Sequence, residues 1–261
     1  MAAEAGRSMP GRRTGAVELS MRPLTGARLL AAWERGAGQN DLDRTLTLLA
    51  AALPDAAPAE IAQLDLRRRN RDLLRLRRMT FGDVLAGVVA CASCAAPLEF
   101  TISIPPVLEH LERLDTVDAV EWTAGSARCV LRAVTTEDLQ LAMLEPSGDA
   151  ARRRLLDRCL AAVGIGDAAL DALRSDPEVL GRFARLHEAA EINCEVRCPA
   201  CGALDVVDLD IARLLWSEVR HAALRLLRDV HDLAGAYGWP ETEILAMSSE
   251  RRRAYLDMVR A

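Results

Sequence analysis

The feature that most restricts how this chain can fold is a pair of Cys-x-x-Cys motifs placed far apart. Cys91 and Cys94 lie in VVACASCAAPLEF, whereas Cys198 and Cys201 lie far downstream in VRCPACGALDVVDL. Each motif stands between two strand-like runs, as in a zinc ribbon, where a tight turn presents two thiolates. Because the entropy of loop closure grows only logarithmically with loop length, a folded insert can separate two halves of one site. The sequence therefore predicts one structural Zn²⁺ site with four thiolate ligands.

The two motifs are unequal in how well they specify a tight turn. The second motif, CPACG, carries Pro199 and Gly202, which a tight knuckle prefers, whereas the first, CASCAA, carries neither proline nor glycine. The alternative is a pair of buried thiol turns that bind no metal. We expect Cys194 to be structural, and Cys129 and Cys159 lie in apolar stretches typical of a core.

Composition and motifs restrict the class of function. The N-terminus lacks the apolar core of a secretory signal, and seven cysteines in a reducing compartment favour metal over disulfides. We therefore expect a cytoplasmic protein. A net charge of −5 gives no bulk attraction for nucleic acid or anionic lipid, and no apolar run is long enough to span a bilayer. The chain has no HExxH, P-loop, GxGxxG or GxSxG pattern, and neither Cys-x-x-Cys motif opens a helix in a βαβ unit. The sequence predicts a non-enzymatic protein.

The spacing of apolar residues predicts a mostly α-helical chain with a small β zinc ribbon, an α+β fold whose two knuckles meet across a helical insert. The predicted segments are a disordered leader (1–22), an N-terminal helical region (23–82), a first zinc-knuckle hairpin (83–105), a hairpin plus helical insert (106–190), a second zinc-knuckle hairpin (191–209), and a long C-terminal helix with two short tail helices (210–261).

Within the insert, AVEWTAGSARCVLRAV predicts a β-hairpin that turns at Gly125-Ser126. Thr135 or Thr136 then caps a helix whose first turn is acidic. Further helices are predicted at about 149–163, 167–174 and 177–189, and the GIG at 164–166 is interpreted as a helix stop.

A dense run of arginines lies in the helix that ends at Gly82, in the sequence LRRRNRDLLRLRRMTFGD. One interpretation is a nucleic-acid patch. The preferred interpretation is a solvated face over an apolar seam, because Asp65 and Asp72 dilute the charge and no aromatic residues accompany it. A docking face for an acidic protein lies between the two. The arginines are Arg67, Arg68, Arg69, Arg71, Arg75, Arg77 and Arg78.

Four segments resemble the baseplate proteins of contractile-tailed particles, and most of all the T-even-phage-type baseplate hub assembly protein, or tail-hub chaperone. They are TGARLLAAWERG, MTFGDVLAGVVACASCAAPLEF, CVLRAVTTEDL and LLRDVHDLAGAYGWPETEILAMSSERRRAYLDMV. The resemblance covers nearly the whole chain after residue 22. Its most specific part is the tail, although CASCAA departs from the proline-containing, glycine-ended knuckle of the family. The matching tail residues are Tyr237, Gly238, Trp239, Glu243, Ile244, Leu245, Arg252 and Tyr255.

The resemblance implies a baseplate or hub component, or an assembly chaperone, of a contractile phage-tail-like injection particle. It also implies other baseplate, spike or tube proteins as partners, with neither nucleic acid nor membrane expected, and a cytoplasmic location during assembly. Presence in the released particle is left open. The short tail helices either cap their own domain or dock to a partner in the manner of a helix in a groove. The candidate partner-binding residues are Trp239, Ile244, Leu245, Arg252 and Tyr255. The alternative function is a zinc-ribbon nucleic-acid-binding regulator that uses the arginine-rich helix.

Overall fold

We describe a computed structural model of the chain for residues 20–113, 118–188 and 190–260. The structure is mostly helical and carries three small antiparallel sheets, so the predicted α+β class is confirmed. The helices are α1 (Gly26–Gly36), α2 (Asp41–Ala52), α3 (Pro58–Ala62), α4 (Leu66–Phe81), α5 (Ile104–Arg113), α6 (Thr136–Ala142), α7 (Gly148–Cys159), α8 (Asp167–Arg174), α9 (Pro177–Glu188), α10 (Ile211–Tyr237), α11 (Glu241–Ala246) and α12 (Ser249–Arg260). The strands are β1 (Val84–Ala90), β2 (Pro97–Ser103), β3 (Ala119–Ala124), β4 (Ala127–Arg132), β5 (Leu160–Val163), β6 (Asn193–Arg197) and β7 (Leu204–Asp208).

The long helix α10 forms the centre of the main core. Asp210 caps its first turn by accepting a hydrogen bond from the N–H of Arg213, and Gly238 ends it in the left-handed conformation. Helices α1, α2 and α4 pack along one side of α10. The α10 residues buried in this core recur at helical spacing, as one apolar stripe requires: Ile211, Leu215, Val219, Ala223 and Leu226.

The short tail helices fold back on the C-terminal half of α10. Ile244 and Leu256 pack against Leu233, and all three side chains are buried. Trp239 stacks on Tyr237 at 4.4 Å between ring centroids. The tail therefore caps its own domain, which was one of the two arrangements that the sequence allowed.

The insert is a separate small core built on the sheet β3-β4-β5. The predicted hairpin forms, with Ala124 paired to Ala127 around the turn, and Thr135 caps α6. The prediction of helix over 149–163 is wrong at its end, because α7 stops at Cys159 and residues 160–163 form β5. Leu160 to Val163 pair with β4, so the GIG at 164–166 follows a strand instead of a helix. Backbone pairing to an existing sheet edge outweighs the helix propensity of two alanines.

A buried carboxylate ties the insert together. Asp138 has no solvent-accessible side-chain surface; it accepts hydrogen bonds from Arg132 at 2.6 and 3.0 Å and from the N–H of Thr135 at 2.9 Å. Arg158 completes the set. Burial alone would raise the pKa of the Asp138 carboxyl, but these donors outweigh it and hold that pKa well below its usual value.

Two further features of the fold were not anticipated. Helix α5 follows β2 directly and buries Leu108 and Leu111 in the main core, although no helix was predicted there. Of the predicted leader, residues 1–19 lie outside the described residues, whereas the N–H of Arg22 donates to the Ala52 carbonyl at 2.8 Å.

In the described ranges, no helix combines the length and apolar character that a membrane span requires.

Replacing Asp138 with Asn should destabilise the fold by about 3 kcal/mol, because two arginines lose their buried counter-charge. The folded pKa of Asp138 lies below the unfolded value of about 3.9, so the carboxylate stabilises the fold above that pH and loses its effect as the pH falls further. Urea unfolding of D138N between pH 3 and pH 7 should show a weaker loss of stability in acid than the wild type shows. Glu121→Gln, which removes an exposed pair with Arg128, is the control and should cost less than about 1 kcal/mol. Equal effects of the two substitutions would refute this role for Asp138.

Candidate metal centre

The two Cys-x-x-Cys turns join matched antiparallel hairpins. Strands β1 and β2 pair up to Ala90 and Pro97, and strands β6 and β7 pair up to Arg197 and Leu204. In each hairpin the strands hold the ends of a six-residue turn, 91–96 or 198–203, at hydrogen-bonding distance. Burial alternates along all four strands, as expected for strands with one face toward the protein.

The two turns have the same pattern of backbone hydrogen bonds. The first cysteine donates its N–H across the turn, from Cys91 to the Ala96 carbonyl at 2.9 Å and from Cys198 to the Ala203 carbonyl at 2.8 Å. The first cysteine also accepts, from Ala95 at 2.8 Å in one turn and from Gly202 at 2.9 Å in the other. The first motif therefore forms the same knuckle as the second without its proline and glycine.

The residue after the second cysteine is left-handed in both knuckles. Gly202 has φ = +75°, and Ala95, at the equivalent position, has φ = +60°. Ala95 is the one residue other than glycine with positive φ among those the structure describes. An L-residue pays about 1 kcal/mol for this conformation, whereas glycine adopts it freely. The first knuckle is therefore locally strained, and the packing of the two hairpins holds it in place.

The four predicted ligands converge on one point. The sulfurs of Cys91, Cys94, Cys198 and Cys201 all lie within 4.8 Å of one another. The two closest pairs cross between the knuckles: Cys91 Sγ to Cys201 Sγ and Cys94 Sγ to Cys198 Sγ, each 3.7 Å. A disulfide requires about 2.05 Å, and all four cysteines are free. A tetrahedral Zn²⁺ with Zn–S bonds of about 2.3 Å would place its sulfurs about 3.8 Å apart, so the cluster has the size of such a site.

The cluster lies half in the protein and half at its surface. Cys91 and Cys198 are buried against Leu98, and Cys94 and Cys201 are exposed. Val89, Ala96 and Val196 complete the apolar side. This arrangement shields two ligands from water while the other two remain accessible.

One polar contact fixes the two hairpins against each other. Asp205 on β7 accepts a hydrogen bond through Oδ2 from the N–H of Ala92 in the first knuckle, at 3.0 Å. The sequence did not single out Asp205, because a carboxylate in an alternating strand pattern gives no local signal of a cross-hairpin bond. Its contact fixes the first knuckle against the second hairpin.

The thiols perturb one another as a crowded donor set does. The backbone N–H of Cys201 lowers the pKa of Cys198 to about 7. The backbone N–H of Ala96 lowers the pKa of Cys94, but hydrogen bonds with the other thiols and burial act against it and raise that pKa to about 12 overall. Four thiols at this spacing cannot all ionise by themselves, and a divalent cation is the partner that would let them do so.

The three remaining cysteines take no part in the cluster. Cys129 and Cys159 are buried in the insert, as predicted for core residues. Cys194 lies on β6 and packs against the main core, and burial raises the pKa of its thiol. Its structural assignment agrees with this position.

The arginine-rich helix α4 is largely neutralised by carboxylates. Arg77 is buried and makes a bidentate pair with Glu218 of α10, at 2.7 and 3.0 Å. Leu73, Leu74 and Leu76 form the predicted apolar seam. The other ion pairs of this helix are Arg67–Asp118, Arg68–Asp65, Arg68–Asp118, Arg71–Asp72, Arg75–Asp72, Arg75–Glu112 and Arg78–Asp83. The apolar seam agrees with the preferred interpretation of a solvated face over such a seam. The face is less solvated than that interpretation expected, because Arg77 is buried and, of the seven arginines of this helix, only Arg78 is exposed.

The candidate partner-binding residues of the tail make internal contacts. Ile244 is fully buried, and Leu245 packs against the main core. Arg252 pairs with Asp229 of α10 at 3.5 Å. Trp239 and Tyr255 are partly exposed and meet edge to face at 4.8 Å. These side chains stabilise the tail, and their contact with a partner stays a prediction.

A scan against protein-family models, a search of curated proteins and a search of solved structures each found no match to this chain.

Ala95→Gly should stabilise the protein by about 0.5–1 kcal/mol, because glycine removes the strain of the left-handed position. Gly202→Ala should destabilise it by about 1 kcal/mol for the opposite reason, since a Cβ at Gly202 would meet no other atom and the cost lies in the backbone alone. Urea unfolding of the purified protein measures both changes. Ala92→Gly, in the same knuckle, is the control and should lower stability. A destabilising Ala95→Gly would contradict the strain argument.

Proposed function

We propose that the four-cysteine cluster binds one Zn²⁺ as a structural ion. Four thiolates at tetrahedral spacing suit Zn²⁺ or iron, and cysteine ligands in two knuckles are typical of structural zinc. Cys91, Cys94, Cys198 and Cys201 would supply all four ligands, leaving no open position for water or substrate. The ion would therefore hold the chain together and perform no chemistry.

The site would join segments that are distant in the chain. Cys91 and Cys201 are 110 residues apart, and the insert with its own core lies between them. The first hairpin follows α4 and the second precedes α10, so an ion held by both would fasten the N-terminal helices to the long helix. This is the role of a scaffold whose function is binding, and the protein is non-enzymatic in this proposal.

Cys198→Ser should abolish metal binding and lower stability by several kcal/mol, because one buried ligand of the site is lost. Cys194→Ser is the matched control: it should keep one metal ion per chain and lose about 1 kcal/mol. Metal analysis of the purified proteins and their thermal unfolding with and without a chelator measure both effects. Iron in place of zinc, or no change in melting for C198S, would refute the proposal.

The biological role proposed is that of a baseplate or hub component, or an assembly chaperone, of a contractile phage-tail-like injection particle. The observation that carries it is the resemblance of four segments, above all the tail from 226 to 259, to that family. A closed metal site agrees with a scaffold role, since it offers no position for catalysis. The partners would be other baseplate, spike or tube proteins, and the protein would act in the cytoplasm during assembly.

The tail would contribute to such contacts through its exposed aromatic surface. Tyr237 is 39% exposed and stacks with Trp239, which in turn meets Tyr255. Aromatic residues together with arginine are enriched in interface hot spots, and Arg251 lies over the ring of Tyr255. Ile244, Leu245 and Arg252 would support this surface from below. The nucleic-acid alternative required the arginines of α4, and their ion pairs with carboxylates weaken it.

Deleting the gene in a host that makes such particles should remove assembled particles or leave them incomplete. Electron microscopy of lysates, with sheaths, tubes and baseplates counted separately, measures the result. Wild-type protein supplied in trans should restore the particles, and the Cys198→Ser variant should not. Normal particles in the deletion strain would overturn the assembly role and leave the zinc proposal standing.

A further inference from the structure

The charged residues of the central helix α10 are segregated by sign. All four of its arginines, Arg213, Arg220, Arg225 and Arg228, are exposed to solvent. Its three acidic residues are partly buried and lie toward neighbouring helices. The solvent side of this helix is therefore basic, in a chain whose net charge is −5.

The acidic residues of α10 are already neutralised within the fold. Glu218 pairs with the buried Arg77 of α4 at 2.7 Å. Asp229 and Asp232 pair with arginines of α12, Arg252 at 3.5 Å and Arg260 at 3.0 Å. No carboxylate of this helix is left to offset its exposed arginines.

The exposed arginines, by contrast, lack close counter-charges. Arg220, Arg225 and Arg228 make no ion pair with any of the described residues, and Arg213 reaches Asp41 only at 4.0 Å. This differs from α4, where carboxylates pair with nearly every arginine. An uncompensated basic face of this kind attracts an anionic partner.

The arginines surround an exposed apolar residue. At 3.6 residues per turn, Arg213, Arg220 and Arg228 project within about 60° of Leu224, which is 38% exposed. His221 and His231 project into the same sector, Arg225 lies about 100° from Leu224, and the arginines span about 22 Å along the helix axis. We call this surface the basic face of α10. An apolar centre with a charged rim is the usual anatomy of a protein interface.

We propose that the basic face of α10 docks an acidic amphipathic helix of a partner protein. Its elongated form, on one helix, suits a partner helix laid alongside it, with leucines over Leu224 and glutamates facing the arginines. Nucleic acid is less well matched, because the two aromatic residues of this helix already have partners, Trp216 under Arg44 and Tyr237 on Trp239, and the chain is acidic overall. Residues 1–19 hold three arginines and two glutamates, so their charge does not suit this face either. The inference does not depend on the zinc site or on the proposed role in particle assembly.

The test measures binding of defined probes to the full chain by fluorescence anisotropy. The main probe is a labelled synthetic helical peptide with one leucine stripe flanked by glutamates; a second peptide has every glutamate replaced by glutamine. A 20-base-pair duplex of mixed sequence is the third probe. Each is titrated at 50 and 300 mM NaCl, because the attraction between exposed charges weakens with salt.

Two triple variants with the same change in net charge identify the surface. Arg220→Glu, Arg225→Glu and Arg228→Glu reverse the basic face, and Arg152→Glu, Arg153→Glu and Arg185→Glu reverse exposed arginines of the insert. The variant of the basic face should bind the acidic peptide at least tenfold more weakly, and the variant of the insert less than twofold more weakly. Circular dichroism should show that both variants are folded. Leu224→Ser should also weaken binding, which a purely electrostatic attraction would not predict.

Three results would overturn the proposal. The first is that the acidic peptide does not bind. The second is that the two triple variants weaken binding of the peptide equally. The third is that the duplex binds more tightly than the peptide, through the same arginines. The last result would identify the basic face as a nucleic-acid surface instead.

Discussion

The burial of one side of α10 is the interaction on which the rest of the structure depends. Helices α1, α2 and α4 pack on its N-terminal part, and α11 and α12 on its C-terminal part, so five helices share one apolar stripe. At about 25 cal/mol per Å² of buried apolar surface, such a stripe outweighs any single polar contact in the molecule. This packing also sorts the charges of α10. Its carboxylates lie toward the packed helices and pair with arginines of those helices, whereas its own arginines face solvent.

The thiolate cluster adds a second, more local constraint. The two hairpins reach the same backbone hydrogen bonds from different sequences, CASCAA and CPACG, although only the second has a glycine at its left-handed position. Ala95 adopts that conformation at a local cost of about 1 kcal/mol, which the pairing of the hairpins and the packing around Cys91, Leu98 and Cys198 offset. Local preference and tertiary packing disagree there, and packing prevails.

The arginines show that charge density along a sequence does not give the charge of a surface. A nucleic-acid patch was the alternative interpretation of the densest run, in α4, but Glu218, Asp118 and Glu112 come from elsewhere in the chain to pair with that run. The sparser arginines of α10 form the uncompensated surface. The density of arginines along the sequence counts only neighbours in the chain, whereas the electrostatic field at a surface also depends on the carboxylates that folding brings there.

The sequence alone predicted the α+β class, the two hairpins, the four cysteines of the candidate site, and a helix that begins at Thr135 or Thr136. These features depend on short-range rules: alternation, periodicity, side-chain capping and the spacing of Cys-x-x-Cys. Only the tertiary structure decided that residues 160–163 are a strand, that α5 exists, and that Ile244 and Leu256 face Leu233 instead of solvent. In each case the deciding partner lies outside the local segment, and its burial or backbone pairing is worth more than local propensity.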